Sequence, residues 1–303
     1  MMLNPIFESS ARRRMRTVKT PAIVTAYAGV MAGLAFSQMT PFLGSGTTVG
    51  AMRLGVECYI WMTALQLMLI ILVAPALSAV SIAGERERQT FDLLLVTGVG
   101  PWSIVWGKLM ENFAFLALLI LCGAPAMALS IVTGGVSLAD IALTLLALML
   151  IAFAALSVGM VVSTLTRRSI TAIISAYLAV LAIGALSWGL AKHGPLAARY
   201  SYESLRQLAQ LPTWRVIAGM PPTIFLNPAV ALVTLLASQT GILHTTMEST
   251  LRLFDIYSAF RAAGFGQISM TCFAAIALAS AMLAALSVLI LRAQTGAGRA
   301  RPE

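Results

Sequence analysis

The chain has 303 residues, 59% hydrophobic and only 10% charged, with 20 Lys and Arg against 11 Asp and Glu for a net charge of +9. Soluble globular chains carry roughly 25% charged residues, so the composition excludes an ordinary soluble domain and points to lipid as the solvent. Reading the positive charge as nucleic-acid affinity would need a clustered basic face beside stacking aromatics, and the sequence has none.

The chain opens on NPIFESSARRRMR. Asn4 can cap a helix whose first residue is Pro5, where the missing N–H has no partner to lose. Ile6, Phe7, Met15 and Val18 can share one face with arginines opposite, which predicts a short helix within 1–21 lying in the headgroup layer. A disordered basic tail is the alternative.

Six windows then follow without Asp, Glu, Lys or Arg: 22–43, 58–83, 113–132, 141–165, 170–190 and 268–291. Each reaches the ~20 residues needed to cross a hydrocarbon core of ~30 Å. Buried helices of a soluble core would need polar helices to cover them, and there are none. The first window has a basic flank and Ala35-Phe36-Ser37, like a cleaved signal peptide, but it exceeds the usual core of roughly 7–15 residues. We read it as an uncleaved anchor. Gly29 and Gly33 in the first window, and Ala277, Ala281 and Ala285 in the last, have the four-residue period that brings helices close, within one chain or across a dimer. Pro75 and Pro125 should kink the second and third spans. Cys58, Cys122 and Cys272 lie in or beside apolar spans with neither disulfide nor zinc spacing.

Between the fifth and sixth windows lies 191–267, expected outside the membrane. Within it PPTIFLNPAVALVTLLAS, Pro221 to Ser238, is apolar enough to suggest a seventh span, yet Asn227-Pro228 splits it. About three turns of apolar helix remain, too few to cross, which favours a re-entrant or interfacial helix. A seventh span would also put Arg292, Arg299 and Arg301 outside. Arg12, Arg13, Arg14, Arg16, Lys19, Arg86, Arg88, Lys108, Arg167, Arg168 and those three all fall on one side of a six-span arrangement. The short outer loops hold only Arg53, so the rule of positive inner loops places both termini in the cytoplasm. With no repeat or soluble domain visible, 1–303 reads as one membrane domain.

Several chemistries lack their residues. Ion-coupled transport needs a binding group at mid-membrane, but Glu57, Glu111 and Asp140 lie only at span edges. Gly107-Lys108 ends no phosphate loop, because position 102 is Trp and position 109 is Leu. A serine hydrolase would need a base near its nucleophile, while His193 and His244 both fall in the outer segment, and there is no H-E-x-x-H for zinc. Glu85-x-Glu87 leaves a membrane-embedded glutamate protease as a competing reading, and a non-transporting assembly or immunity factor as another.

The charge is concentrated in GERERQTFDLLLVTGVGPWSIVWGKL, Gly84 to Leu109, with five charged side chains between Glu85 and Asp92. Read as a helix, Glu85 to Val96 starts with acids suited to the positive end of the dipole. Glu85 with Arg88, and Arg88 with Asp92, fall at pairing distance. A solvated cap would need only one or two polar residues, so this stretch predicts a docking surface for something in the cytoplasm.

That stretch resembles the signature loop of ABC-2-type ABC transporter permeases, roughly Gly-Glu-x-Glu-x-Gly-Thr-x-Glu-x-Leu-Leu, then Thr or Ser, Pro, a turn and Gly-Lys. Gly84, Glu85, Glu87, Thr90, Leu94, Leu95, Thr97, Gly107 and Lys108 match, with Asp92 in an acidic position. Gln89 stands where glycine is common and Gly98 where proline is common. The opening segment and STLTRRSITA, Ser163 to Ala172, also resemble family segments.

The resemblance implies an all-α polytopic membrane protein. It would have an N-terminal elbow helix, six transmembrane helices, a cytoplasmic coupling helix after the second and re-entrant helices between the fifth and sixth. The coupling loop 84–109 would seat in a separate ABC ATPase subunit, through Glu85, Arg86, Glu87, Arg88, Thr90, Asp92, Gly107 and Lys108. The chain would hold no catalytic residue, metal or cofactor, with ATP and magnesium bound on the partner. It would work in the cytoplasmic membrane as a dimer, with a second copy or a related chain, mostly as an exporter. Its substrate is left open.

Overall fold

The computed structural model describes residues 19–39, 48–90, 100–193, 222–240 and 264–299, and every regular element among them is a helix. These are α1 (Lys19–Met39), α2 (Thr48–Glu87), α3 (Pro101–Thr133), α4 (Leu138–Leu165), α5 (Ser169–His193), α6 (Pro222–Phe225), α7 (Pro228–Thr240) and α8 (Phe265–Arg299). The elbow helix expected within 1–21, except for the start of α1, lies outside the described residues. So do Asp92 and most of 191–267.

Helices α2, α3, α4, α5 and α8 are long and apolar enough to cross a membrane. The apolar part of α1, Pro21–Ser37, is shorter; the span expected there runs on to Leu43, past the described end of that helix. Helix ends differ most from expectation on either side of the charged loop. With 40 residues α2 extends about 60 Å, at ~1.5 Å per residue, twice the ~30 Å hydrocarbon core. A hydropathy window stops at the first charge, whereas backbone hydrogen bonding does not. Consequently α2 continues beyond Ala83 through Glu87, and α3 begins at Pro101, so that Gly107 and Lys108 are helical. The separate helix expected from Glu85 to Val96 does not begin at Glu85.

Local sequence explains the turns. Gly134 and Gly135 take φ of 86° and 93° between α3 and α4, conformations that glycine adopts without a Cβ penalty. Ser137 and Asp140 then form a capping box, with the Asp140 amide donating to Ser137 Oγ and the Ser137 amide to Asp140 Oδ2. Asp140, at a span edge in the sequence, is thus part of the cap that starts α4.

At the centre lies α4, packed against α2, α3, α5, α7 and α8. Where α2 crosses it, a Cβ added to Gly159 would lie 2.0 Å from Ser78 Oγ and 2.9 Å from the Pro75 carbonyl oxygen, so the absent side chain sets the approach. Leu148, Ile151, Leu156 and Met160 of α4 complete a core with Ile70, Ile82, Leu116 and Leu291. The small-residue stripes face the other way. Nothing lies within 4 Å of a Cβ placed on Gly29 or Gly33 among the described residues, and Ala281 and Ala285 are exposed while Ala277 is half-buried.

Helix α7 has 13 residues, or about 20 Å, too short for a crossing. The Asn227 side chain accepts the Ala229 amide at 3.0 Å and starts it. Val230, Leu232, Leu235 and Leu236 are buried, so α7 packs into the bundle rather than lying on its surface. Tyr59 of α2 pins its far end: the phenol lies 3.0 Å from Gln239 Oε1 and shares a hydrogen bond with Thr144 of α4.

Candidate functional site

The site is built on the last turn of α2. Ala79 and Ala83 meet Ala172 and Ala176 of α5 in a buried patch, where four small side chains let the two backbones approach closely. From the other side Ser163 Oγ of α4 accepts the amides of Ile82 and Ala83 at 2.9 and 3.0 Å. The helix stops just beyond. The Gln89 amide donates to Arg86 O and the Thr90 amide to Glu85 O, with Gln89 at φ 57°. This paired bonding with a left-handed residue is the Schellman arrangement, which commonly uses glycine at that point. Thr90 Oγ1 adds a bond to Glu85 O at 3.2 Å.

Consecutive helical residues point about 100° apart, and Glu85, Arg86 and Glu87 accordingly reach three directions. Glu85 Oε1 meets Lys108 Nζ of α3 at 2.6 Å, the two side chains only 21% and 17% exposed. The second Glu85 oxygen is buried and makes no hydrogen bond among the described residues. One turn back, Asn112 of α3 donates to Ser81 Oγ at 2.8 Å, a second rung between the same helices. Arg86 donates to the Thr164 carbonyl at the end of α4, at 2.9 Å, and to Gln294 Oε1 of α8. Gln294 Nε2 donates to that same carbonyl at 3.2 Å. Glu87 Oε2 accepts the amide of Ser169, the first residue of α5, at 2.9 Å.

Carboxylates at a helix C-terminus oppose its dipole, the reverse of the favourable placement expected from sequence. Lys108 offsets that for Glu85, in place of the pairing expected with Arg88. Glu87 stands in solvent beyond the apolar span, and its carboxyl is held below the usual glutamate range, first by the Ser169 hydroxyl and then by the Ser169 amide. The N-terminus of α5, where free amides favour an anion, thus takes its anion from another helix.

Of the expected site residues, Glu85, Arg86, Glu87 and Lys108 therefore bind inside the chain, Gly107 is buried within α3, and Arg88 and Thr90 are exposed on the turn. Asp92 lies outside the described residues. Sequence reasoning missed Ser163, Ser169 and Gln294 as partners, although the first two begin and interrupt the STLTRRSITA segment that resembles the family. On the same end of the bundle Trp102 and Trp106 stack with centroids 5.8 Å apart, and Phe153 meets Trp106 and Phe113 edge-on. Exposed tryptophans of this kind suit a membrane–water interface.

No group of three His, Cys, Asp or Glu side chains that could hold a metal occurs among the described residues. The arrangement is a joint between α2, α3, α4, α5 and α8 with an exposed turn at its tip. Residues 11–294 match the family model described as ABC-2 family transporter protein. No curated protein matches the chain.

Proposed function

The chain belongs to the ABC-2 transporter family and is the membrane permease subunit of an ABC transporter, not itself a catalyst; from that premise we propose an exporter driven by a separate ABC ATPase. The family match over nearly the whole chain carries this reading. The stretch from Gly84 to Leu109 is the coupling element, comprising Glu85, Arg86, Glu87, Arg88, Thr90, Asp92, Gly107 and Lys108. ATP and magnesium bind on the ATPase. The charged end of the bundle faces the cytoplasm, in keeping with Arg86, Arg88, Lys108, Arg167, Arg168 and Arg292 gathered there, and the chain resides in the cytoplasmic membrane with six spans, α1 included.

Two permease chains form the substrate path between them. The unpacked faces of Gly29 and Gly33 on α1, and of Ala281 and Ala285 on α8, support an association beyond the single chain. Mechanically, closure of two ATPases on ATP would draw on the exposed turn at Arg88–Thr90 and shift the last turn of α2, to which four other helices are tied.

The test is purification of the tagged chain from its own membranes in mild detergent, with bound protein identified by mass spectrometry and assayed for vanadate-sensitive ATP hydrolysis. An ABC ATPase should be retained, and should be lost when 88–99 is replaced by a Gly-Ser linker of equal length. Retention by the linker variant would place the contact elsewhere. A native chain that holds no ATPase would remove the permease assignment in favour of a non-transporting membrane component.

A further inference from the structure

Glu85 and Glu87 have partners on different helices, Lys108 on α3 and Ser169 on α5. The Glu87 carboxylate takes the first amide of α5, and beside it Ala79 and Ala83 pack on Ala172 and Ala176. Farther along, α5 also packs on α4 and α6, and its Tyr177 hydroxyl donates to the Leu72 carbonyl of α2. Ile170, Ile174, Leu178, Leu181 and Leu186 all face outward from this chain, so the start of α5 is held chiefly to the end of α2. Arg86 closes a similar link to α4 and α8. The Glu87 side chain is exposed, and one of its oxygens is engaged as the cap of a neighbouring helix.

We propose that Glu87 is a positioning residue that makes α5 move with the last turn of α2, and that the ATPase is gripped by the exposed turn at Arg88–Thr90. The inference rests on the permease reading and divides the labour within its coupling element. A rigid link at this point makes one swing of the α2 end displace α5 as well, because a helix held by its N-terminal amides and a small-residue patch cannot lag behind its cap. Substituting Glu87 therefore separates binding of the ATPase from movement of the spans.

The complex retained by the native chain is reconstituted in lipid vesicles after Cys58, Cys122 and Cys272, all free thiols, are replaced by alanine. An environment-sensitive fluorophore is attached to Ile174→Cys on α5, a position 55% exposed. ATP with vanadate supplies the trapped state. Glu87→Ala should hold the ATPase at native stoichiometry while the nucleotide-dependent fluorescence change falls at least fivefold. Glu87→Gln keeps an acceptor oxygen and should retain both. Ser169→Pro removes the donated amide and the hydroxyl at a first helical position where proline is tolerated, and should reproduce Glu87→Ala; it decides the matter if that variant does not fold. Release of the ATPase by both Glu87 variants but not by Ser169→Pro would make Glu87 a charge contact and overturn the inference, leaving the permease reading intact. An unchanged fluorescence response in Glu87→Ala and Ser169→Pro would overturn it equally. Absence of any ATPase on the native chain would strike the permease reading itself.

Discussion

The Glu87 carboxylate accepts the Ser169 amide 2.9 Å away, so the last residue of one membrane helix caps the first turn of another. The hydroxyl and amide of Ser169 both favour the charged carboxylate and lower its pKa in the folded chain. A depressed folded value gives stability that is present above the unfolded pKa and lost as pH falls through the folded one. The thermal stability of the native chain should exceed that of Glu87→Gln above about pH 5, and the difference should disappear as pH falls below the ordinary glutamate value of about 4.3. Parallel pH titrations of unfolding in detergent check it; a difference that grows toward low pH would contradict the cap.

Lys108 holds a different kind of contact. Among the described residues its ammonium pairs with one oxygen of the Glu85 carboxylate, and the other oxygen is buried and unbonded. Lys108→Ala leaves a carboxylate at a helix C-terminus with no counter-charge, and should cost about 2 kcal/mol, the order expected for an uncompensated, mostly buried polar group. Adding Glu85→Gln should recover much of the loss, because the charge is then gone from both sides. Unfolding of the two variants in mixed micelles measures the recovery, and strictly additive losses would show that the pair is not coupled.

Much of the fold was legible because lipid leaves one strong signal, long stretches free of charge, and the windows at 113–132, 141–165 and 268–291 all lie inside α3, α4 and α8. Helix ends were not legible, since Gly84–Glu87 and Gly107–Lys108 continue helices through polar sequence. The charged stretch was found for its composition, but its partners were not. Thr164 lies 78 positions from Arg86 and Gln294 lies 208 away, and one sequence holds no record of contacts at such separation. Gly29 and Gly33 were recognised as a packing stripe, yet only the folded chain shows that they face away from it. The Ser137-x-x-Asp140 box is legible from its spacing alone, even at a span edge.

Gln89 occupies the left-handed position that ends α2, at φ 57°, where the family pattern commonly has glycine. A side chain there costs roughly 1–2 kcal/mol, offset in part by the greater freedom glycine loses on folding. Gln89→Gly should therefore stabilise the chain, by up to about 1 kcal/mol, without altering the bonds from Gln89 and Thr90 to Arg86 and Glu85. Unfolding in mixed micelles reads the gain. A loss of stability would mean that Gln89 contributes a contact of its own.

Gly159 tests the packing that sets the charged end in place. Its missing side chain admits Pro75 and Ser78 of α2, and an added Cβ would fall 2.0 Å from Ser78 Oγ and 2.9 Å from a backbone oxygen. Ser78 can rotate, but the Pro75 carbonyl cannot move without displacing α2. Gly159→Ala should thus destabilise by about 1–3 kcal/mol, the usual range for overpacking, despite alanine's better helix propensity of about 1 kcal/mol. Ser78→Ala on its own removes a hydroxyl bonded, among the described residues, only within its own helix, to Ala74 and Pro75, and combined with Gly159→Ala it should relieve part of the clash. If the double variant is no better than Gly159→Ala, the obstacle is the backbone of α2, and the two helices cannot separate here without moving the turn that carries Glu85, Arg86 and Glu87.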